Sequence, residues 1–326
     1  MRSVRVLSHP LKSACEHALK SNLALKSNET VLIVTDAEKR RFGRAFQEAA
    51  LQLTQQVDLI EIPIPAFNGE EPPDSAAAKM LSADVILMPL AKSLSWTRAR
   101  REATQTGARI ASMPQITEDI ILRTFPIDYE PIKCRVNKLD DLFDAATKVK
   151  VITKLGTNLE FSVSGRKGRG RNGGIYQNRG AWGNLPCGEA FIAPLEGSAN
   201  GVYFVDASHA GVGEIFQPIE ITVKNGCAVD IRGGREATIL SNMLTAVDDP
   251  NAFNIAEFGI GCNDKAKIIG ITLEDEKVLG TCHVALGKNV LFGGKIDVGV
   301  HVDGVIKSPT IYFDNQKIVA EGELLI

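Results

Sequence analysis

The rhythm of apolar and polar positions changes partway along the chain. Up to about residue 130, short apolar runs alternate with segments of helical spacing. That alternation builds a parallel sheet with helices on both faces. Val31–Thr35, Val57–Pro63, Val85–Leu90 and Arg109–Met113 read as strands. Phe42–Thr54 carries Phe42, Ala45, Phe46, Ala49, Ala50 and Leu53 at helical spacing, and Ser75–Ser82 and Trp96–Gly107 continue the series. Residues 117–147 read as helical and lead into a second region.

From Val149 the pattern becomes one of hairpins. Val149–Thr153 and Leu159–Val163 alternate with period two around Gly156-Thr157-Asn158. Ile219–Val223 and Cys227–Ile231 flank Asn225-Gly226, a strong two-residue turn signal, and Thr310–Phe313 and Lys317–Ala320 flank another turn. One helix carries Ile239, Leu240, Met243, Leu244 and Val247 on one face and stops before Asp249-Pro250. The predicted fold is α/β. An N-terminal Rossmann-like parallel-sheet domain spans 1–130 and a helical crossing spans 131–148. A C-terminal α+β domain with a mainly antiparallel sheet spans 149–326 and is expected to bind metal.

A length of 326 residues suits two cores. With 37 basic and 39 acidic residues, no general positive surface points to nucleic acid. No apolar run is long enough to span a bilayer, and Met1–Pro10 has no signal-peptide core, so a cytoplasmic protein with no membrane partner is expected. The six cysteines are scattered without C-x-x-C and read as buried thiols, although Cys187 and Cys282 lie beside candidate ligands. The first strand-to-helix turn, Asp36–Arg41, lacks the glycines of a dinucleotide site. Gly168-Arg-Gly-Arg-Asn-Gly173 matches G-x-G-x-x-G formally, but no helix start follows it. It reads as a mobile basic loop; the alternative is that Arg166, Lys167, Arg169 and Arg171 attract an anionic substrate end or line a dimer groove.

The candidate chemistry lies in the second region. In a strand, His301 and Asp303 project from one face, which suits a divalent metal. A hydrogen-bonded His–Asp pair fits the same spacing equally well. His283, between Gly280 and Gly287, reads as structural when taken alone, as do His9 and His17; Asp206 and His209 form a weak further pair. Glu189 and Glu257 each stand alone in an apolar run, so each needs a metal, a lysine or an arginine as partner. Together Glu189, Glu257, His283, His301 and Asp303 make an inventory that fits a two-metal hydrolase centre.

The segments Asn184-Leu-Pro-Cys-Gly-Glu189, Ala256-Glu-Phe-Gly-Ile-Gly261, Gly280-Thr-Cys-His-Val-Ala-Leu-Gly287 and His301-Val-Asp303 occur in the order found in metallo-aminopeptidases of the aminopeptidase T and S type, which this chain resembles. The resemblance implies a homodimeric exopeptidase acting on small peptides with two divalent ions, zinc, cobalt or manganese. It implies Glu189, Glu257, His283, His301 and Asp303 as metal ligands, with Glu189 or Glu257 as the base. Val290 stands where that family carries a tyrosine able to bond an oxyanion. The chain also resembles, more distantly, 2,5-dihydroxypyridine 5,6-dioxygenase, in which two histidines and an aspartate hold one Fe(II). His301 and Asp303 match that element, whereas Glu257 replaces its other histidine and the position of Glu189 is not acidic there. The expectation is a metal-dependent aminopeptidase. A mononuclear ring-cleaving dioxygenase and a non-catalytic relative are the alternatives.

Overall fold

The computed structural model describes residues 9–326; the reading of Met1–Ser8 as free of an export signal lies outside them. The chain divides into two compact units, Met1–Pro131 with Gly174–Cys187, and Ile132–Gly173 with Gly188–Ile326. Among the described residues, no helix is long and apolar enough to cross a membrane.

In the first unit, helix α1 (His9–His17) precedes strands β1 (Val31–Thr35), β2 (Val57–Glu61), β3 (Val85–Leu90) and β4 (Arg109–Pro114). Helices α2 (Arg40–Ala50), α3 (Asp74–Met80) and α4 (Arg98–Thr106) connect the strands, and α5 (Glu118–Thr124) follows β4. The strands are parallel and pair in the order β2-β1-β3-β4. Both faces of β3 are buried, as expected where helices cover a parallel sheet. Helix α2 turns Ala45, Phe46, Ala49 and Ala50 inward, the face that its spacing predicts. At the carboxyl end of β1, Asp36 Oδ1 accepts the amides of Glu38 and Lys39, both at 3.0 Å, and Oδ2 accepts that of Ala91 at 2.6 Å. Doubly wound folds receive phosphates at this position; here a side chain of the protein takes the amides.

Residues 117–147 are helical in two pieces: α5 ends at Thr124 and α6 (Glu130–Ala145) begins afresh. Pro126 lies in the break and has no N–H with which to continue the helix, while Phe125 before it still keeps helical angles. The segment 174–187, expected in the second domain, lies in the first unit, where β7 (Trp182–Asn184) pairs in parallel with β4. It follows the hairpin of β5 (Lys148–Ile152) and β6 (Asn158–Ser162).

The second unit holds two antiparallel sheets, as the hairpin signals predict. Its further strands are β8 (Glu189–Ile192), β9 (Asn200–Val205), β10 (Ser208–His209), β11 (Gly213–Glu214), β12 (Ile219–Lys224), β13 (Cys227–Arg232), β14 (Ile255–Gly261), β15 (Cys282–Gly287), β16 (His301–Ile306), β17 (Thr310–Phe313), β18 (Gln316–Ala320) and β19 (Glu323–Leu324). Helix α7 (Arg235–Thr245) follows β13, and the short helix α8 (Thr272–Asp275) lies between β14 and β15. The larger sheet runs β13-β12-β9-β6-β5-β17-β18-β19, and the smaller runs β11-β10-β16-β15-β14-β8. Phe258 of β14 meets Phe161 of β6 and Phe143 of α6, with ring centroids 5.2 and 6.1 Å apart, and Phe143 stacks on Phe313 of β17 at 4.6 Å. These rings commit one face of the smaller sheet to the core. Because side chains alternate along a strand, the neighbours of Phe258 must face the other way.

Asp140, fully buried on α6, tests the energetics of this core. Burial pushes its carboxyl up to about 7, with the Arg171 guanidinium drawing it partly back. Unfolded, the group ionises near its ordinary value of about 4. Between the two values the folded chain holds the extra proton, so stability falls as pH rises from about 4 to about 7. Asp140→Asn is predicted to raise stability by about 1–3 kcal/mol at pH 8 and by little at pH 5. Urea unfolding at both pH values checks this, and an equal gain at both would contradict it.

Candidate metal centre

The smaller sheet places the candidate residues by register alone. Glu189 pairs with Gly261, Phe191 with Gly259, Gly259 with His283, Glu257 with Ala285, Ala285 with Asp303, and Gly287 with His301. Directly paired residues of antiparallel strands share a face. Glu189, Glu257, His283, His301 and Asp303 therefore lie on one face, opposite to that of Phe258. Gly259, Gly261, Ala285 and Gly287 lie among them on this face. Gly259 has a specific reason: an added Cβ would fall 2.1 Å from His283 Nε2, where the ring crosses the strand.

The donors converge. His283 Nε2 lies 3.3 Å from Glu257 Oε1 and 3.4 Å from Glu189 Oε2. His301 Nε2 lies 3.4 Å from Glu257 Oε2 and 3.5 Å from Asp303 Oδ1. Ligand atoms of Glu257, His283 and Asp303 lie within 4.8 Å of one another, as do those of Glu189, Glu276 and His283. All of these side chains are largely buried.

His301 provides the test of fit. Its Nδ1 lies 2.8 Å from the carbonyl oxygen of Lys288. A carbonyl only accepts, so Nδ1 carries the proton, and in the neutral ring Nε2 presents a bare lone pair. That lone pair faces two carboxylate oxygens, which is repulsive unless a proton or a metal cation lies between them. The separations exceed the roughly 2.7–2.9 Å of a charge-assisted hydrogen bond, so the donors surround a point rather than close on each other. Glu189 Oε2 is buried without a hydrogen-bond partner, a second acceptor that a cation would satisfy. Two imidazoles and several carboxylates are ligands of the type that divalent first-row metals accept.

The electrostatics agree. Burial alone would lower both histidines. Asp303 and Glu257 instead raise His301 well above its ordinary value, and Glu257, Glu189 and Glu276 bring His283 up to about 9. Burial would raise Asp303 and Glu257. The His301 ring holds Asp303 far below its ordinary value, and His283 and His301 lower Glu257. Each shift reports the same demand of clustered carboxylates for positive charge.

Two residues of the cluster carry no sequence signal. Lys277, fully buried, places Nζ 2.6 Å from Glu189 Oε1 and also donates to Glu276 Oε1. Burial pushes Glu276 up to about 8 against the pull of Lys277. Both belong to Glu274-Asp-Glu-Lys277, a run of four charges that resembles a solvated surface. All four are buried: Glu274 Oε1 accepts the Lys267 amide, and Asp275 accepts those of Ile269 and Gly270.

Other expected residues lie elsewhere. His209 pairs with Gly304, on the face away from Asp303, and its Nδ1 donates to the Ala210 carbonyl at 3.0 Å. Asp206 accepts the Lys307 amide. His17 Nε2 lies 3.1 Å from the Ile127 carbonyl, and its ring donates to it. In the basic loop, Arg166 is paired with Glu196, Lys167 with Asp144, and Arg171 with Asp141 and Asp144. Arg169 has no ion pair among the described residues. The glycines there serve close packing, since a Cβ on Gly170 would lie 2.2 Å from the Glu189 carbonyl oxygen.

A family model described as NicX: 2,5-dihydroxypyridine 5,6-dioxygenase matches residues 11–326. The 2,5-dihydroxypyridine 5,6-dioxygenase of Pseudomonas putida KT2440 is 24% identical over 341 residues, covering 95% of this chain and 94% of that protein. The solved 2,5-dihydroxypyridine dioxygenase from the same strain matches with a TM-score of 0.84 at 21% identity over 98% of both chains. Wild-type AmpT from Thermus thermophilus matches with a TM-score of 0.73 at 18% identity, over 97% of this chain and 99% of that one. The likeness to these structures is one of fold, and it agrees with the expected α/β architecture. The expectation of an aminopeptidase, and with it of a hydrolase or protease, is overturned: the family model and the relative both name a dioxygenase. The donor set did not discriminate, because carboxylates and imidazoles on such a sheet face serve either chemistry.

Gly259→Ala should leave the far-UV circular dichroism spectrum unchanged while displacing His283. Metal affinity should fall roughly 10–100-fold, the usual effect of losing a group that orients a ligand. Titration with Co(II) measures this, and unchanged affinity would contradict the placement of His283.

Proposed function

This chain belongs to the 2,5-dihydroxypyridine 5,6-dioxygenase family, and we propose that it opens a hydroxylated pyridine ring with dioxygen at one ferrous ion on the glycine-lined face of the smaller sheet. The observation that carries this reading is the convergence of His301 Nε2, Glu257 Oε2 and Asp303 Oδ1, with the other ring nitrogen of His301 held by the Lys288 carbonyl. His301, Asp303, Glu257 and His283 would hold the ion. Bound there, ferrous iron supplies the electronic state that dioxygen chemistry at a stable aromatic ring requires.

The rest falls to the protein. The Lys288 carbonyl fixes the tautomer and orientation of His301. Glu189 Oε2 has no hydrogen-bond partner and accepts the proton of a ring hydroxyl, leaving a more electron-rich ring to be cleaved. Phe292 stands edge-on to both Phe191 and His301, with centroids 5.9 and 5.5 Å apart, and forms an apolar wall for a flat heteroaromatic ring.

Protein loaded anaerobically with Fe(II) is predicted to consume one dioxygen per 2,5-dihydroxypyridine lost, read with an oxygen electrode and by the decay of ring absorbance. His301→Ala and Asp303→Ala should each lower kcat/KM by about a thousand-fold, some 4 kcal/mol. Iron-loaded protein that takes up no oxygen with any dihydroxypyridine would refute the proposal.

A further inference from the structure

The cluster contains two sets of metal-type donors that share one histidine. Glu257, His283 and Asp303 form one, and Glu189, Glu276 and His283 form the other. Such an inventory ordinarily suits a pair of ions. The sets differ in their occupants. In the first, the groups in direct contact with the carboxylates are imidazoles. In the second, the Lys277 ammonium stands 2.6 Å from Glu189 Oε1 and donates to Glu276 Oε1.

We infer that Lys277 is the resident cation of the second position, so that this centre takes one divalent ion and not two. Lys277 is held where it is. Its side chain is fully buried. Its amide donates to the Glu274 carbonyl at 2.8 Å, and its carbonyl accepts the Asn263 amide at 2.8 Å. An ammonium and a divalent ion cannot share the space between the same two carboxylates, because like charges a few ångströms apart repel strongly at low dielectric. Without Lys277, Glu189 and Glu276 would lose their shared counter-charge, and a metal ion is a chemically suitable replacement. The inference sharpens the single-ion reading proposed above and rests on it only for the identity of the other ion.

The test is ion counting by elemental analysis after anaerobic loading with excess Co(II) and desalting, together with thermal unfolding with and without Co(II). Wild type and Lys277→Arg should hold one ion per chain. Lys277→Gln should hold two, and its lowered melting temperature should be restored by Co(II) to a degree not seen in wild type. A purely structural lysine would lower the melting temperature without any such recovery. If Lys277→Gln does not fold alone, it should fold when refolded with Co(II), and failure with the ion present would overturn the inference. Two ions in wild type, or one ion and no recovery in Lys277→Gln, would overturn it as well. No ion in wild type but one in Lys277→Gln would uphold the role of Lys277 while removing the ferrous reading.

Discussion

Four carboxylates, those of Glu189, Glu257, Glu276 and Asp303, crowd one largely buried sheet face, and they stay there only if positive charge stays with them. Like charges at such separations cannot all remain ionised unaided. The rise of His283 and His301, the fall of Asp303 and the burial of Lys277 are all answers to that constraint. The balance is uneven. Lys277 is in contact with Glu189 and Glu276, whereas Glu257 and Asp303 are in contact with the imidazoles. His301 Nε2 points at Glu257 and Asp303, away from the ammonium.

The scaffold supports this arrangement from both sides. Beneath the sheet, Phe143, Phe161 and Phe258 fix which face is core, so every ligand position on β14 is set by alternation. Above it, Gly259 lets the His283 ring cross the strand. Beyond the sheet, Asn289 holds the turn after β15: it donates to Glu196 and accepts the Ile296 amide, and Glu196 is also paired with Arg166. The Lys288 carbonyl that orients His301 therefore comes from a backbone tied on several sides, as a preorganised metal ligand needs.

Much of this was legible in the chain itself. The parallel strands of the first unit showed as apolar runs bounded by turns, and the hairpins of the second as period-two alternation around Asn225-Gly226 and its counterparts. Glu189 and Glu257 stood out as charges inside apolar runs, and His301-x-Asp303 as two ligands one strand repeat apart. The three-residue strand β7 was invisible because it is too short to show a period and pairs with a strand some 70 residues earlier. Lys277 and Glu276 were invisible because a charged run owes its burial to the way the β14–β15 connection folds, which no local pattern reports. The chemistry was misread for a different reason. The same ligand types serve a two-ion hydrolase and a one-ion oxygenase, and the difference lies in which positions already hold a cation.

The central claim is that a single metal ion completes this face beside a resident ammonium. Anomalous diffraction at the iron edge, from crystals grown and loaded with Fe(II) under anaerobic conditions, measures it directly. The account predicts one anomalous peak, bounded by Glu257, His301 and Asp303, with Lys277 still against Glu189 and Glu276. Two peaks about 3.5–4 Å apart, the spacing of a two-metal centre, with Lys277 displaced, would contradict it.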